Sequence, residues 1–231
     1  MLIEVIAIRA EDVEAAAEGG ADRIELVTGI AEGGLTPSVG LVERAVRASS
    51  LPVNAMVRPH SQSFCYSKAD YAIMIRDVEA IRDAGAAGIV VGMLTEKGEV
   101  DFRGLEEVLR AAEGLDVTFH RAFDEVEDQL AALQQLAKYP QISRVLTSGG
   151  VKPAPQSAER LRELREATDS LGGIRILAGY GLNADNIAQV VRQTGVSEVH
   201  FGSGVRRNGS FMEPLLPESV QTIRHILRES K

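Results

Sequence analysis

Two glutamates, two histidines and an arginine stand at positions from which predicted β-strands could turn them toward one another. Glu4 and Glu25 each follow an isoleucine in the first two predicted strands, and His120 and His200 belong to the fifth and eighth. Side chains alternate along a strand, so one parity places both carboxylates on the same face. Two neighbouring carboxylates repel unless a cation compensates them, and we predict Arg58 as their partner. Such residues serve acid–base chemistry and polar-ligand binding.

Two interpretations of this cluster are open. It is either a structural charge network, or a site in which His120, Glu25 and Glu4 are catalytic while Arg58 and Arg121 hold an anion. Buried ion pairs stabilise a fold less than apolar packing does, which favours the functional interpretation. His120 is the main candidate for general acid or base because imidazole titrates near neutral pH. The two carboxylates could also hold an oxygen-ligand metal such as Mg²⁺.

Glycine-rich turns follow the sixth, seventh and eighth predicted strands. Barrels often bind phosphate through backbone N–H groups in such turns, and Arg206 and Arg207 follow closely. The alternative is ordinary tight turns, which need glycine for backbone reasons alone. On the first interpretation, the ligand-binding residues in this part of the chain are Ser148, Gly149, Gly181, His200, Gly202 and Ser203.

Cys65 is the one cysteine of the chain, which excludes an internal disulfide and any multi-cysteine zinc or iron–sulfur site. It lies in a Phe-Cys-Tyr-Ser stretch that we predict as a loop over the site. A single cysteine is more often a packed residue than a nucleophile or metal ligand. Cys65 is therefore a candidate metal ligand, but the sequence predicts no complete metal site around it.

Eight β-branched runs, each followed by a helix-like segment, must position these residues. The predicted strands cover residues 2–7, 23–26, 53–57, 88–91, 117–120, 144–147, 175–178 and 198–201. Strands that alternate with helices imply a parallel sheet, and eight such units close a single (β/α)₈ TIM barrel. A doubly wound open sheet is the alternative, but no Gly-x-Gly-x-x-Gly follows the first strand. In barrel enzymes the site lies where the strands end.

The composition predicts one domain, residues 1–231, with an irregular segment from about residue 205. Apolar residues make up 45% of the 231 residues, and the net charge is −8 with scattered lysine and arginine. This charge argues against nucleic acid and anionic membranes as partners. We find neither an apolar run of about 18 residues nor a basic leader, so we expect a cytoplasmic protein with a small polar or anionic ligand.

Several long strings resemble the CutC family, which is named for copper homeostasis. The matches extend from Ile3 to about Arg206. The most distinctive are Gly-Gly-Ala-Asp-Arg-Ile-Glu-Leu at 19–26, Glu-Gly-Gly-Leu-Thr-Pro-Ser at 32–38 and Thr-Phe-His-Arg-Ala-Phe-Asp at 118–124. The resemblance implies a TIM barrel, a cytoplasmic location, homo-oligomerisation and copper as a bound ion.

The chain departs from the family pattern at three places. Family members commonly carry cysteine in the first two strands, a proposed Cu(I) site in some of them, whereas Ile6 and Val27 occupy the matching positions here. Neither side chain can coordinate a metal. The usual Arg-Pro-Arg-Gly-Gly-Asp loop reads Arg-Pro-His-Ser-Gln-Ser at 58–63, and Tyr180 interrupts the usual triple glycine.

Three hypotheses about function follow. The resemblance implies a cytoplasmic copper-binding protein of copper homeostasis. The charged cluster instead indicates a TIM-barrel enzyme that acts on a small phosphorylated or carboxylated metabolite, with His120 as general acid/base. A non-catalytic interaction protein is the third, and the irregular C-terminal segment would then be an oligomer contact.

Overall fold

The protein is a closed eight-stranded barrel in a computed structural model that describes residues 1–230. Each strand pairs in parallel with the next, and the eighth pairs with the first. This closure confirms the predicted (β/α)₈ barrel and excludes the open sheet. The strands are β1 (Leu2–Ala7), β2 (Arg23–Leu26), β3 (Val53–Met56), β4 (Gly88–Val91), β5 (Asp116–Phe119), β6 (Ile142–Thr147), β7 (Arg175–Ala178) and β8 (Glu198–Phe201).

Eight α-helices cover the outside of the barrel. They are α1 (Ala10–Glu18), α2 (Val39–Ala48), α3 (Lys68–Asp83), α4 (Phe102–Ala111), α5 (Gln129–Leu136), α6 (Ala158–Thr168), α7 (Ile187–Thr194) and α8 (Pro217–Glu229). Gly20, Gly85 and Gly195 follow helices with positive φ, the left-handed conformation that glycine adopts at low cost. Within residues 1–230, no helix is both long and apolar enough to cross a membrane.

The two faces of the sheet differ in chemistry. Outward residues such as Ile3, Val5 and Leu26 are fully buried in the apolar core beneath the helices. The alternate residues face the lumen, where Glu4 and Glu25 are buried, as the strand parity predicts. The layer between the strands and the helices is therefore apolar, whereas the interior of the barrel is polar.

Three strands have boundaries that differ from the predicted ones. The third strand ends at Met56, the fifth covers Asp116–Phe119, and the sixth begins at Ile142. The backbone hydrogen-bond ladder, which side-chain type specifies only loosely, sets these limits. His120 thus lies one residue past β5, yet its N–H still donates to the Val91 carbonyl at 2.7 Å.

Short 3₁₀ turns connect β8 to α8. Arg206 fixes this connection, because its guanidinium binds the Asp12 carboxylate at 2.7 Å and the Ile6 carbonyl at 3.1 Å. Arg206 is therefore paired with Asp12 away from the cavity wall and does not serve the anion-binding role that its position after the glycine turns suggested. Beyond this connection, α8 packs between α7 and α1, the regular place of an eighth helix.

Candidate functional site

A cavity of about 430 Å³ lies at the carboxyl ends of the strands. Its size suits a small metabolite. Apolar side chains form much of its wall, including Ile6, Met56, Phe64, Leu146 and Phe211. Eight of the residues predicted from the sequence line it, namely Glu25, Arg58, His120, Arg121, Gly181, His200, Gly202 and Ser203.

Three predicted site residues lie outside the cavity wall. Glu4 is fully buried beneath the floor. Ser148 is also fully buried, and its N–H donates to the Asp124 carboxylate at 3.2 Å. The Gly149 N–H donates to the Thr147 hydroxyl at 2.9 Å. The turn after β6 therefore folds around Asp124, and its donors point into the protein instead of toward a ligand.

Arg58 is a buried cation without a carboxylate partner. Its side chain donates through Nη1 to the carbonyls of Glu32 and Gly34, at 3.0 and 3.2 Å, and lies 4.8 Å from the Phe64 ring centre. The residue is 8% exposed, and its Nε has no hydrogen-bond partner. No ion pair to it occurs among residues 1–230. A buried charge is costly unless it is paired, so the cavity is prepared for an anion.

The expected pairing of Arg58 with the two glutamates is wrong. Arg23 takes that place: its Nε bonds Glu4, and Glu4 and Arg23 are register partners across β1 and β2. Arg23 precedes Glu25 by two residues on the same strand, so both side chains face the lumen. The alternation that predicted Glu25 in the lumen also predicts Arg23 there, although Arg23 was not among the predicted site residues.

Arg121 places a second guanidinium at the cavity. Its Nε donates to Asp124 at 2.8 Å, and the Tyr180 ring lies 4.2 Å from its Cζ. Tyr180 has φ of 73°, a left-handed conformation that costs a non-glycine residue about 1 kcal/mol or more. The sequence already contained a sign of this residue, because Tyr180 interrupts the glycine run after β7. Arg121 is paired, so it contributes less uncompensated charge than Arg58.

His120 is a fixed hydrogen-bond donor. Its Nδ1 accepts the Ala122 N–H at 3.1 Å, so the neutral ring carries its proton on Nε2. This buried Nε2 has no partner within the protein. A Cβ at Gly92 would lie 2.3 Å from His120 Nδ1, so only glycine leaves room for the ring.

The pKa of His120 does not fit the titration near neutral pH that we expected from its residue type. Burial, together with the positive charges of Arg58 and Arg121, lowers this pKa to about 3. The imidazole is therefore neutral across the physiological range. Its chemistry is donation from Nε2 instead of proton exchange.

Glu4, Glu25 and His200 form a buried trio at the cavity floor. His200 Nδ1 lies 2.8 Å from Glu4 Oε1 and 3.6 Å from Glu25 Oε2, which has no hydrogen-bond partner. Burial would raise the pKa of Glu4, but the His200 hydrogen bond and the Arg23 charge lower it to about 2. Burial raises the pKa of Glu25 to about 7, and the Glu4 charge adds to this rise. The floor thus holds one permanent carboxylate and one that titrates near neutrality.

The same trio has the spacing of a metal site, since one ligand atom from each residue lies within 4.8 Å of the others. However, both Glu4 oxygens already bind cationic or donor groups, Arg23 and His200. Arg23 and His200 already satisfy the Glu4 carboxylate, which a metal ion such as Mg²⁺ would otherwise do. We therefore interpret the trio as a hydrogen-bonded charge network.

A closed (β/α)₈ barrel with a cavity of metabolite size at its strand ends defines a TIM-barrel protein with a candidate small-molecule site. The model of the CutC family matches residues 1–205. The chain belongs to the CutC family.

Relatives and a solved structure agree with this membership. The CutC family protein of Yersinia enterocolitica is 41% identical over 202 residues, which are 87% of this chain and 78% of the relative. That of Vibrio campbellii is 41% identical over 207 residues, 89% of this chain and 83% of the relative. A structure of CutC from Streptococcus agalactiae, described as a copper homeostasis protein, is 29% identical with a TM-score of 0.82, and covers 87% of this chain and 98% of its own.

The residues of this chain do not fit a copper(I) site. Cu(I) prefers thiolate and thioether ligands. Ile6 lines the cavity and Val27 is buried beside Met56, so the family's cysteine positions supply no ligand. The Cys65 thiol donates to the Thr95 carbonyl at 3.2 Å and is absent from the cavity wall, while Met93 is fully buried in the apolar core.

Proposed function

We propose that this chain binds a small metabolite through a carboxylate or phosphate group and acts on it as an enzyme. The buried, uncompensated Arg58 guanidinium at the cavity wall carries this proposal. An anion in the cavity would supply the missing charge and a partner for its unused donors.

Other parts of the cavity support the proposal. Arg121 adds positive charge at the wall, and the turns after β7 and β8 bring Gly181, Gly202 and Ser203 to it. A Cβ at Gly202 would lie 2.7 Å from the Phe211 ring, so a larger residue would close this side of the cavity. His120 and Glu25 touch the same space and are the proposed catalytic residues, whereas Glu4 acts beneath them as a positioning residue for His200.

Direct titration tests the proposal. We expect inorganic phosphate, 2-oxobutanoate or dihydroxyacetone phosphate to bind saturably at one site in isothermal titration calorimetry. Added salt should weaken the binding because charge attraction contributes to it. Saturable perturbation of Arg58 and His120 side-chain signals in NMR would locate the site. No saturable binding of any of the three at millimolar concentration would overturn the proposal.

A role in copper homeostasis is the second candidate, because the related Streptococcus agalactiae protein is described in those words.

The location in the cytoplasm and homo-oligomerisation, which the family resemblance implies, stay predictions. So does the expected absence of nucleic-acid and membrane partners.

An anaerobic Cu(I) titration against a competing chelator separates copper binding from the family role. We expect the chelator to keep the Cu(I), because the soft ligands of this chain do not converge in the cavity. Cys65→Ser should behave like the wild type. Stoichiometric binding by the wild type that Cys65→Ser loses would contradict this expectation and would place copper at Cys65.

A further inference from the structure

We propose that the cavity moves a proton at a carbon atom next to a carbonyl group of the bound metabolite. Glu25 takes the proton, and His120 donates a hydrogen bond to the carbonyl oxygen. This inference rests on the proposed function, because Arg58 must first hold the anionic group of the ligand. It adds a substrate class, small carbonyl compounds that carry a carboxylate or phosphate.

A backbone N–H group fixes His120 as the hydrogen-bond donor. The Ala122 N–H donates to His120 Nδ1 at 3.1 Å, which leaves the proton on Nε2, and the residue lines the cavity. Nε2 is buried and has no partner in the protein. A fixed neutral donor that the protein leaves unused can stabilise negative charge as it develops on a carbonyl oxygen.

The acceptor lies on the floor of the same cavity. Glu25 is 3% exposed, its Oε2 has no hydrogen-bond partner, and the residue lines the cavity wall. A carboxylate without donors is more basic than a solvated one. Glu4 differs, because Arg23 and His200 engage both of its oxygens.

The barrel places donor and acceptor on different sides of the ligand. Glu25 belongs to β2 and His120 follows β5, three strands further around the closed eight-stranded barrel. The cavity of about 430 Å³ separates them. A small ligand between them would meet an acceptor on one side and a donor on the other.

The step balances without any co-reactant. The C–H bond breaks, its proton goes to Glu25, its electron pair forms the enolate double bond, and the carbonyl π pair moves to the oxygen that His120 faces. Return of the proton to the same carbon exchanges hydrogen with solvent. Covalent alternatives through lysine or cysteine lack their nucleophile, since neither residue type lines the cavity among residues 1–230.

The groups around Glu25 give the step a pH dependence. His200 from β8, Glu4 from β1 and Arg23 from its own strand face it, and Asn54 of β3 is its neutral register neighbour. With a pKa of about 7, Glu25 is mostly protonated below neutrality and accepts a proton only above it. We expect the rate at saturating ligand to rise with pH, to reach half of its maximum near pH 7 and to level off about one pH unit higher.

Proton exchange in D₂O tests the inference. We expect the full-length protein to accelerate loss of the α-proton NMR signals of 2-oxobutanoate or dihydroxyacetone phosphate above the uncatalysed rate. Glu25→Gln should lower that acceleration about 100-fold or more while the dissociation constant stays within about 3-fold. His120→Ala should lower it by about 100- to 1,000-fold, and His120→Gln, which keeps an N–H donor, should restore part of it.

A matched control and two outcomes keep the inference open to refutation. Glu43→Gln removes the same charge from α2, where the side chain is 47% exposed, and should leave exchange unchanged. Probes that bind without exchange, or wild-type exchange in Glu25→Gln, overturn the inference and leave anion binding intact. If no probe binds, the proposed function fails and the inference fails with it.

Discussion

Replacement of Arg58 by methionine is expected to weaken binding of the anionic ligand by about 10- to 100-fold. A hydrogen bond to a charged group contributes about 1.5–3 kcal/mol, and each 1.4 kcal/mol is a factor of ten in affinity. Methionine keeps the unbranched stem of the side chain, so the change removes the guanidinium with its charge, its donors and its contact with the Phe64 ring. Calorimetric titration with phosphate or 2-oxobutanoate measures the effect.

The same substitution should hardly alter the stability of the free protein. It removes a costly unpaired charge and also two hydrogen bonds, one to the carbonyl of Glu32, which is exposed to water, and one to the carbonyl of Gly34, which is buried. These effects oppose each other, so we expect the free energy of unfolding to change by about 1 kcal/mol or less. A residue that served only the fold would show the opposite pattern, with lost stability and unchanged affinity.

Arg103→Met is the matched control for charge. The Arg103 side chain is 86% exposed on α4, so this substitution lowers the net charge equally without touching the cavity. We expect ligand affinity close to that of the wild type. Equal losses in Arg103→Met and Arg58→Met would show that overall charge, and not the cavity, attracts the anion.

The period of the strands predicted the barrel and most of the cavity. Alternation along a strand is a local property, so it placed Glu25 in the lumen without knowledge of the fold. His200 joined the cluster only because the predicted barrel is closed, which makes β8 a neighbour of β1. The same logic fails in turns, where side-chain direction depends on local hydrogen bonds. Ser148 and Gly149 were predicted as ligand-binding residues, but Asp124 and Thr147 take their donors inside the turn.

Partner choice was harder to predict than position. Arg58 and Arg23 are both arginines near the two glutamates, and only the register of β1 against β2 brings Arg23 opposite Glu4. Likewise, the residue type of His120 indicates a titrating group, whereas its pKa follows from burial and from two nearby guanidiniums. Both depend on contacts between distant segments, which a single sequence does not specify.

Glu198→Gln is expected to cause the largest loss of stability. Glu198 is 3% exposed at the amino-terminal end of β8 and accepts from three arginines. Arg23 Nη2 and Arg144 Nε lie 2.7 and 3.2 Å from Oε2, and Arg175 Nε lies 2.5 Å from Oε1. This network lies in the barrel beneath the trio. Replacing one of its members leaves the charges of the others buried and without that partner.

The expected cost follows from the charges that the substitution would leave behind. Glutamine keeps the shape of Glu198 but removes the only negative charge that these three guanidiniums share. Breaking a buried ion pair from one side costs about 3–5 kcal/mol, and a chain of this length should then melt roughly 10 °C lower. Chemical denaturation and thermal unfolding followed by circular dichroism measure both quantities.

Asp116→Asn is the control for Glu198→Gln. It removes one partly exposed ion pair from the same network instead of the carboxylate that three arginines share. Asp116 binds Arg144 Nη1 at 2.6 Å, but its side chain is 33% exposed, and Arg144 would keep Glu198 and the Thr118 hydroxyl. Water can solvate what this substitution leaves unpaired, so we expect a cost of about 1 kcal/mol or less. If Glu198→Gln were equally mild, the polar lumen would not hold the lower barrel together.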